Sequence, residues 1–333
     1  MKGLKESWLN SEKMPLVIEP TESMSFKEAL KLISSQKEIL ANKLLGPGAL
    51  LFRNFPISDA SDFSEFIKTI DEGKFLDYIG GDSPRNKVKD GVYTSTEAPP
   101  SIKIPLHNEL SFVKNYPKKI YFYCHIAPQE KGETTIADAR KIYSAMDEHV
   151  KMKFNDKGLQ YISNYFYKSS IMDFLNKVQR SHKSWVDVFE TNQKDSVETK
   201  CLENDFEFAW GKKDWLRVCQ KRPSVMAHPI TKDTVWFNQA HLYDFNPKLL
   251  GWWRYLGVKL FYFQKYTRLH EIAFGDGSPI PRKDLYHILD VLESHTIYFP
   301  WQKGDILMLD NVLAMHGRAT FTGKRRIFAA MTG

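Results

Sequence analysis

The feature that most constrains this chain is His107-Asn108-Glu109, read together with His316 near the far end of the sequence. On an extended strand, residues i and i+2 point to the same side, so His107 and Glu109 share one face and Asn108 turns away. A carboxylate oxygen and two neutral imidazole nitrogens can hold Fe(II) on one face and leave the other face open. A fold that uses this pattern must carry His316 back beside the early pair. His316 comes soon after Ile306-Leu307-Met308-Leu309, which reads as a strand, and a turn just past a strand end is expected to project it into the mouth of a barrel. An H-x-E alone is weak evidence, because most histidines near a carboxylate are simply hydrogen-bonded. The surrounding residues have to decide.

Those surroundings read as many short strands with helices placed around them. Residues 26–45 have helical spacing behind a Ser25/Glu28 capping box, and Gly46-Pro47-Gly48 ends them. Strands are expected at 49–52, 120–126, 159–166, 224–228, 234–238, 295–299, 305–309 and 326–331. Further helices are expected at 61–72, 141–154, 247–265 and 284–293. The charged stretch 170–222 reads as a largely helical insertion, with Trp185, Trp210 and Trp215 as core residues. The expected class is mainly β with helical elaboration, built on a double-sheet β core in a single domain spanning 1–333. No dinucleotide-binding or nucleotide-triphosphate loop is present.

Composition narrows the function. A hydrophobic share of 42% and an aromatic share of 14% can build a large core. No apolar run is long enough to span a bilayer, and the first residues lack a signal-peptide core, so a cytoplasmic protein without a membrane partner is expected. Cys124, Cys201 and Cys219 have no metal spacing and read as reduced, buried thiols. The net charge of +7 favours anionic ligands, but the lysines are scattered and no nucleic-acid motif accompanies them. The oligomeric state stays open.

Two more residue types bear on the site. Thr134 follows Glu109 by 25 residues, and Arg325-Arg326 come shortly after His316. An arginine grips a carboxylate through two parallel charge-assisted bonds, and a threonine hydroxyl adds a third. A dicarboxylate cosubstrate needs such a grip at the end distant from the metal.

Taken in order, these residues resemble a known family. His107-x-Glu109, Gly132-Glu133-Thr134 and His316 followed by Arg-Arg are similar to the taurine dioxygenase/clavaminate synthase-like group (TauD/TfdA) of Fe(II)/2-oxoglutarate dioxygenases. The nearest likeness is to the branch of the syringomycin-pathway aspartyl hydroxylase. It is carried by Tyr93-Thr94-Ser95-Thr96-Glu97, Pro105 to Ser111, Val235 to Leu242, Phe274 to Ile280 and His316-Gly317-Arg318. The resemblance implies a double-stranded β-helix, or jelly roll, with His107, Glu109 and His316 as the iron ligands. It implies that Thr134 and Arg326 hold the distal carboxylate of 2-oxoglutarate. Arg326 is preferred because the family's arginine directly precedes the apolar strand residue, here Ile327, and Arg325 would then be a surface charge.

The same resemblance implies cofactors Fe(II), 2-oxoglutarate and O2, and oxidation of an unactivated C–H bond. The substrate would be an amino acid or amino-acid-like molecule of secondary metabolism, free or tethered to a peptidyl carrier protein. A glutamate ligand favours hydroxylation over halogenation; desaturation and cyclisation remain alternatives. Asn238, Gln239, Arg318 and Tyr93 are candidate substrate contacts, each with a structural alternative. His241 is expected to be structural, and His270 to be exposed at a helix end. A silent metabolite-binding jelly roll and a zinc hydrolase are the competing readings.

Overall fold

Alternation along single strands decides where the core sits. In Lys119–Ile126, Ile120, Phe122 and Cys124 join one buried cluster, while Tyr121 and Tyr123 join another. A strand apolar on both faces needs cover on both sides. In the computed structural model, which describes all residues except 77–85, 90, 97, 168–183 and 262–269, this strand lies inside an eight-stranded sheet. The order is Leu4–Trp8, Leu16–Pro20, Ala49–Phe52, Ile306–Asp310, Lys119–Ile126, Arg326–Thr332, Val92–Thr94 and Lys87–Lys89.

Two helices cover one face. Phe26–Leu44 starts at Ser25, whose hydroxyl accepts from the Glu28 N–H while the Glu28 carboxylate accepts from the Ser25 N–H, the capping box expected from sequence. Ala60–Ile70 starts at Asp59, whose carboxylate accepts from the N–H groups of Ser61 and Asp62. Ala29, Ile33, Phe63 and Phe66 bury against Leu50, Phe52, Tyr123 and Met308. Phe66 meets the Phe52 ring edge-on at 5.1 Å, and its truncation to alanine would cost about 3–5 kcal/mol.

The other face closes on a three-stranded sheet, ordered Ile104–His107, Ala314–Arg318 and Thr134–Asp138. Leu106, Ile136 and Met315 from this sheet share one core with Phe122, Leu309 and Ile327 from the large one. The chain is thus mainly β with helices around it.

Several expectations change here. Of the 170–222 stretch, the described part is only partly helical. Trp185–Phe189 and Lys194–Glu203 are helices, but Glu207–Trp210 and Leu216–Arg222 are strands of a four-stranded sheet with Leu159–Tyr165 and His270–Phe274. The alternation of Leu216 and Val218, buried against Trp185, Val197 and Cys201, outweighs the charged composition. Residues 295–299 form no strand beyond a single bridge from Ile297 to Ile136. The helix expected over 141–154 is two, Ala139–Ala145 and Glu148–Lys157. The one expected over 247–265 divides at Gly251 (φ 77°) into Pro247–Leu250 and Trp252–Phe261, and its end lies outside the described residues. All three cysteines are free and buried, as expected.

Candidate metal centre

Strand pairing does what sequence distance hides. His316 is not on a turn but in the strand Ala314–Arg318, directly across from His107 in register. The two imidazole rings are 4.4 Å apart, and His316 Nε2 is 3.5 Å from Glu109 Oε2. One ligand atom from each of His107, Glu109 and His316 lies within 4.8 Å of the others. His107 Nδ1 is 2.9 Å from the Pro105 carbonyl, which can only accept. That nitrogen therefore carries the proton, and Nε2 keeps the lone pair a metal needs. Burial, followed by the neighbouring His316, pushes the His107 pKa down to about 3, so the ring is neutral at physiological pH. Two imidazole nitrogens and one carboxylate, half enclosed, fit a divalent iron with open positions.

Glu109 lies just past its strand, and its position is set by backbone clamps. The Asn311 side chain accepts from Glu109 N–H at 2.8 Å and donates to the carbonyls of Glu109 at 2.9 Å and Pro117 at 2.8 Å. Asn108 answers by donating to the Asn311 carbonyl at 2.7 Å. Gln239 Nε2 in turn donates to the Asn108 carbonyl at 2.5 Å. His241 is buried with Nε2 2.9 Å from the Leu106 carbonyl, the structural role expected for it. Asn311 was not singled out from sequence; its only signal is adjacency to the turn that leads to His316.

A cavity of about 220 Å³ opens over the three ligands. On one side stand Thr134 and an arginine, and the arginine is Arg325 rather than Arg326. Arg325 donates from Nε to the Gly132 carbonyl at 2.8 Å, and its Nη2 is 3.4 Å from Thr134 Oγ1. Arg326 is exposed. The period of two explains this correction: Ile327 faces the inner core, so Arg326 turns outward and Arg325 turns back in. Burial, and then Arg318 nearby, lower the Arg325 pKa to about 10. Among the described residues neither arginine has an ion-pair partner, so this side of the cavity favours an anion.

The four candidate substrate residues separate. Arg318 lines the cavity but spends its guanidinium on the carbonyls of Ala98, Pro99 and Ile102, at 2.7–2.8 Å. It therefore braces the loop at the cavity edge. Asn238 is a structural residue, bonded to the Ser224 carbonyl and the Ala240 N–H. Gln239 lines the cavity while holding Asn108. Tyr93 is buried in the large sheet opposite Ala329; Ser95 and Thr96, not Tyr93, reach the cavity. His270, expected at an exposed helix end, is half-buried on the strand His270–Phe274 and lines the cavity with Phe112, Leu242 and Tyr243. Its Nδ1 is 3.1 Å from Ser163 Oγ.

Comparison with known proteins agrees with this geometry. The family described as "Taurine catabolism dioxygenase TauD, TfdA family" matches residues 10–332. Dapdiamide synthesis protein DdaC of Enterobacter agglomerans is 35% identical over 294 residues, covering 88% of this chain and 83% of that protein. A clavaminate synthase-like protein of Arabidopsis thaliana is 30% identical over 331 residues, covering 96% and 94%. Among solved structures, PvcB of Pseudomonas aeruginosa shares the fold with a TM-score of 0.55 at 14% identity, covering 99% of this chain and 91% of that one. AAD-2, solved with Mn(II) and N-oxalylglycine, gives 0.54 at 13% identity, covering 99% and 96%.

Proposed function

Because the chain belongs to the TauD/TfdA dioxygenase family, we propose that it hydroxylates an unactivated C–H bond of an amino acid or amino-acid-derived substrate in a biosynthetic pathway. Membership makes it an Fe(II)- and 2-oxoglutarate-dependent dioxygenase that uses O2. The single observation that carries the site assignment is the convergence of His107, Glu109 and His316 in one cavity with Thr134 and Arg325. We read the two sheets around that cavity as a double-stranded β-helix, the whole chain as one domain, and its setting as the cytoplasm.

His107, Glu109 and His316 would hold the iron, each neutral or anionic as ligation requires. Bound there, iron and 2-oxoglutarate supply the oxidising chemistry with dioxygen. The chain's own part is to position and to exclude water. Arg325 offers paired N–H donors to the distal carboxylate of 2-oxoglutarate, and Thr134 Oγ1 adds a donor held in place by Trp301 Nε1 at 3.3 Å. Phe122 packs on the His316 ring at 5.1 Å and keeps water from the ligand face. Phe112, Leu242, Tyr243 and His270 would orient the substrate carbon. The amino-acid class is supported by a relative named for dapdiamide synthesis and by the resemblance of the sequence blocks.

The test is succinate formation against a panel of amino acids, offered free and loaded on a peptidyl carrier protein. A product one oxygen atom heavier, formed only with iron and 2-oxoglutarate, is expected. A product two hydrogens lighter would move the reading to desaturation or cyclisation. Iron and 2-oxoglutarate binding without turnover of any panel member would count against the amino-acid class.

A further inference from the structure

One helix shows the solvent the residues that other helices hide. In Trp252–Phe261, Trp252 is 68% exposed, Trp253 88%, Leu256 45% and Leu260 81%. At about 100° per residue these four fall within roughly 100° of the helix surface, one continuous apolar stripe. Arg254 and Lys259, both exposed, lie on opposite sides of that stripe. From Pro247 to Leu269 the sequence has five basic residues, Lys248, Arg254, Lys259, Lys265 and Arg268, and no acidic one.

We propose that Trp252–Phe261 docks this enzyme on an anionic lipid bilayer. Charge complementarity selects this occupant. A second copy packed across a two-fold axis would set this cationic segment against itself. A single nucleic-acid strand would use the aromatic rings but has no use for exposed Leu256 and Leu260. A membrane interface takes both: tryptophan rings sit at headgroup level, leucines enter the acyl boundary, and flanking cations meet lipid phosphates. Among the described residues no helix is long and apolar enough to cross a bilayer, and this one needs only to lie on it. It is also tied to the cavity. The chain reaches it through the short helix Pro247–Leu250 from Ala240–Tyr243, which supplies Leu242 and Tyr243 to the cavity wall. Arg254 also donates to Ser101, in the loop that Arg318 braces.

The experiment is co-sedimentation of the full chain with vesicles of phosphatidylcholine mixed with phosphatidylglycerol, against pure phosphatidylcholine. We expect binding to the anionic vesicles that weakens with added salt. It should fall at least about tenfold in Trp252→Ser/Trp253→Ser and in Arg254→Glu/Lys259→Glu, each removing buried apolar area or attraction. Unchanged thermal melting of both variants shows that they are folded. No sedimentation with anionic vesicles overturns the proposal, as does sedimentation that neither variant weakens. A dimer by light scattering that the tryptophan variant dissolves, without vesicle binding, would assign the face to a second copy instead.

Discussion

The two walls of the cavity are built differently. On the metal side, functional side chains stand on or beside strands of the two facing sheets and are held by backbone clamps: His107 by Pro105, Glu109 by Asn311, Arg325 by Gly132. The opposite wall comes from a loop residue, Phe112, a one-turn helix carrying Leu242 and Tyr243, and an outer strand carrying His270. Ring packing helps to hold that wall, with Tyr243 5.7 Å from Phe112 and 5.1 Å from His270, whose Nδ1 is also 3.1 Å from Ser163 Oγ. Chemistry shared by a family needs fixed geometry and sits on the rigid sheet, whereas substrate choice can sit on elements that are cheaper to vary.

The sharpest way to break this comparison is at the ligands. Glu109→Ala should abolish 2-oxoglutarate turnover and metal uptake, read by calorimetric titration with Fe(II) or Co(II). Wild-type affinity in that variant would remove the centre altogether. Asn311→Ala keeps all three ligands but frees the Glu109 backbone, and should weaken metal affinity about 10–100-fold. Next comes the arginine pair. Arg325→Ala should raise the 2-oxoglutarate Kd by about tenfold to a hundredfold, the loss of a charge-assisted hydrogen bond of about 1.5–3 kcal/mol. Arg326→Ala should shift it little, since exposed substitutions stay within about 0.5 kcal/mol. An anaerobic titration of the iron–cosubstrate charge-transfer band reads both, and equal effects would undo the assignment.

That pair also marks where the sequence stopped being legible. The H-x-E spacing points to a shared face through the period of two of a strand, but the strand ends at His107, and Glu109 is brought beside it by the Asn311 clamp. His316 could be matched to it only through the resemblance, because strand partners are not encoded in spacing. Choosing between Arg325 and Arg326 takes the same period of two, anchored on the face that Ile327 occupies, whereas family position alone favours Arg326. Asn311 was invisible because an asparagine in a turn looks the same whether it caps a loop or clamps a ligand's backbone. His270 follows an apolar run that suggests a helix reaching that far, while His270–Phe274 is held as a strand by pairing with Leu159–Tyr165. Long-range pairing decides the place of His316 and His270 against the local pattern.

The substrate wall should respond in a different currency. His270→Ala and Tyr243→Phe are expected to raise substrate KM by about tenfold or less while leaving the 2-oxoglutarate Kd unchanged, the signature of lost uniform binding. Measured with the substrate found by the panel, an equal loss in 2-oxoglutarate affinity would show that the two walls are not separable.

The smallest expected effect concerns the frame behind the metal side. His241 is fully buried against the Leu106 carbonyl, and burial pushes its pKa from 6.5 to about 4. In the unfolded chain the ring takes up a proton near its ordinary value, while the folded ring stays neutral. Between these two values the unfolded state binds more protons, so stability must rise with pH. The contribution is fully present above about pH 6.5 and is lost as pH falls toward about 4. His107 adds a slope of the same sign. His241→Gln keeps a donor for the Leu106 carbonyl but removes one titration. Urea unfolding of the metal-free protein between about pH 7 and about pH 4.5 should therefore show a shallower loss of stability in the variant than in the wild type. Parallel curves would mean that His241 takes up its proton alike in the folded and the unfolded chain, and that burial against the Leu106 carbonyl does not keep the ring neutral.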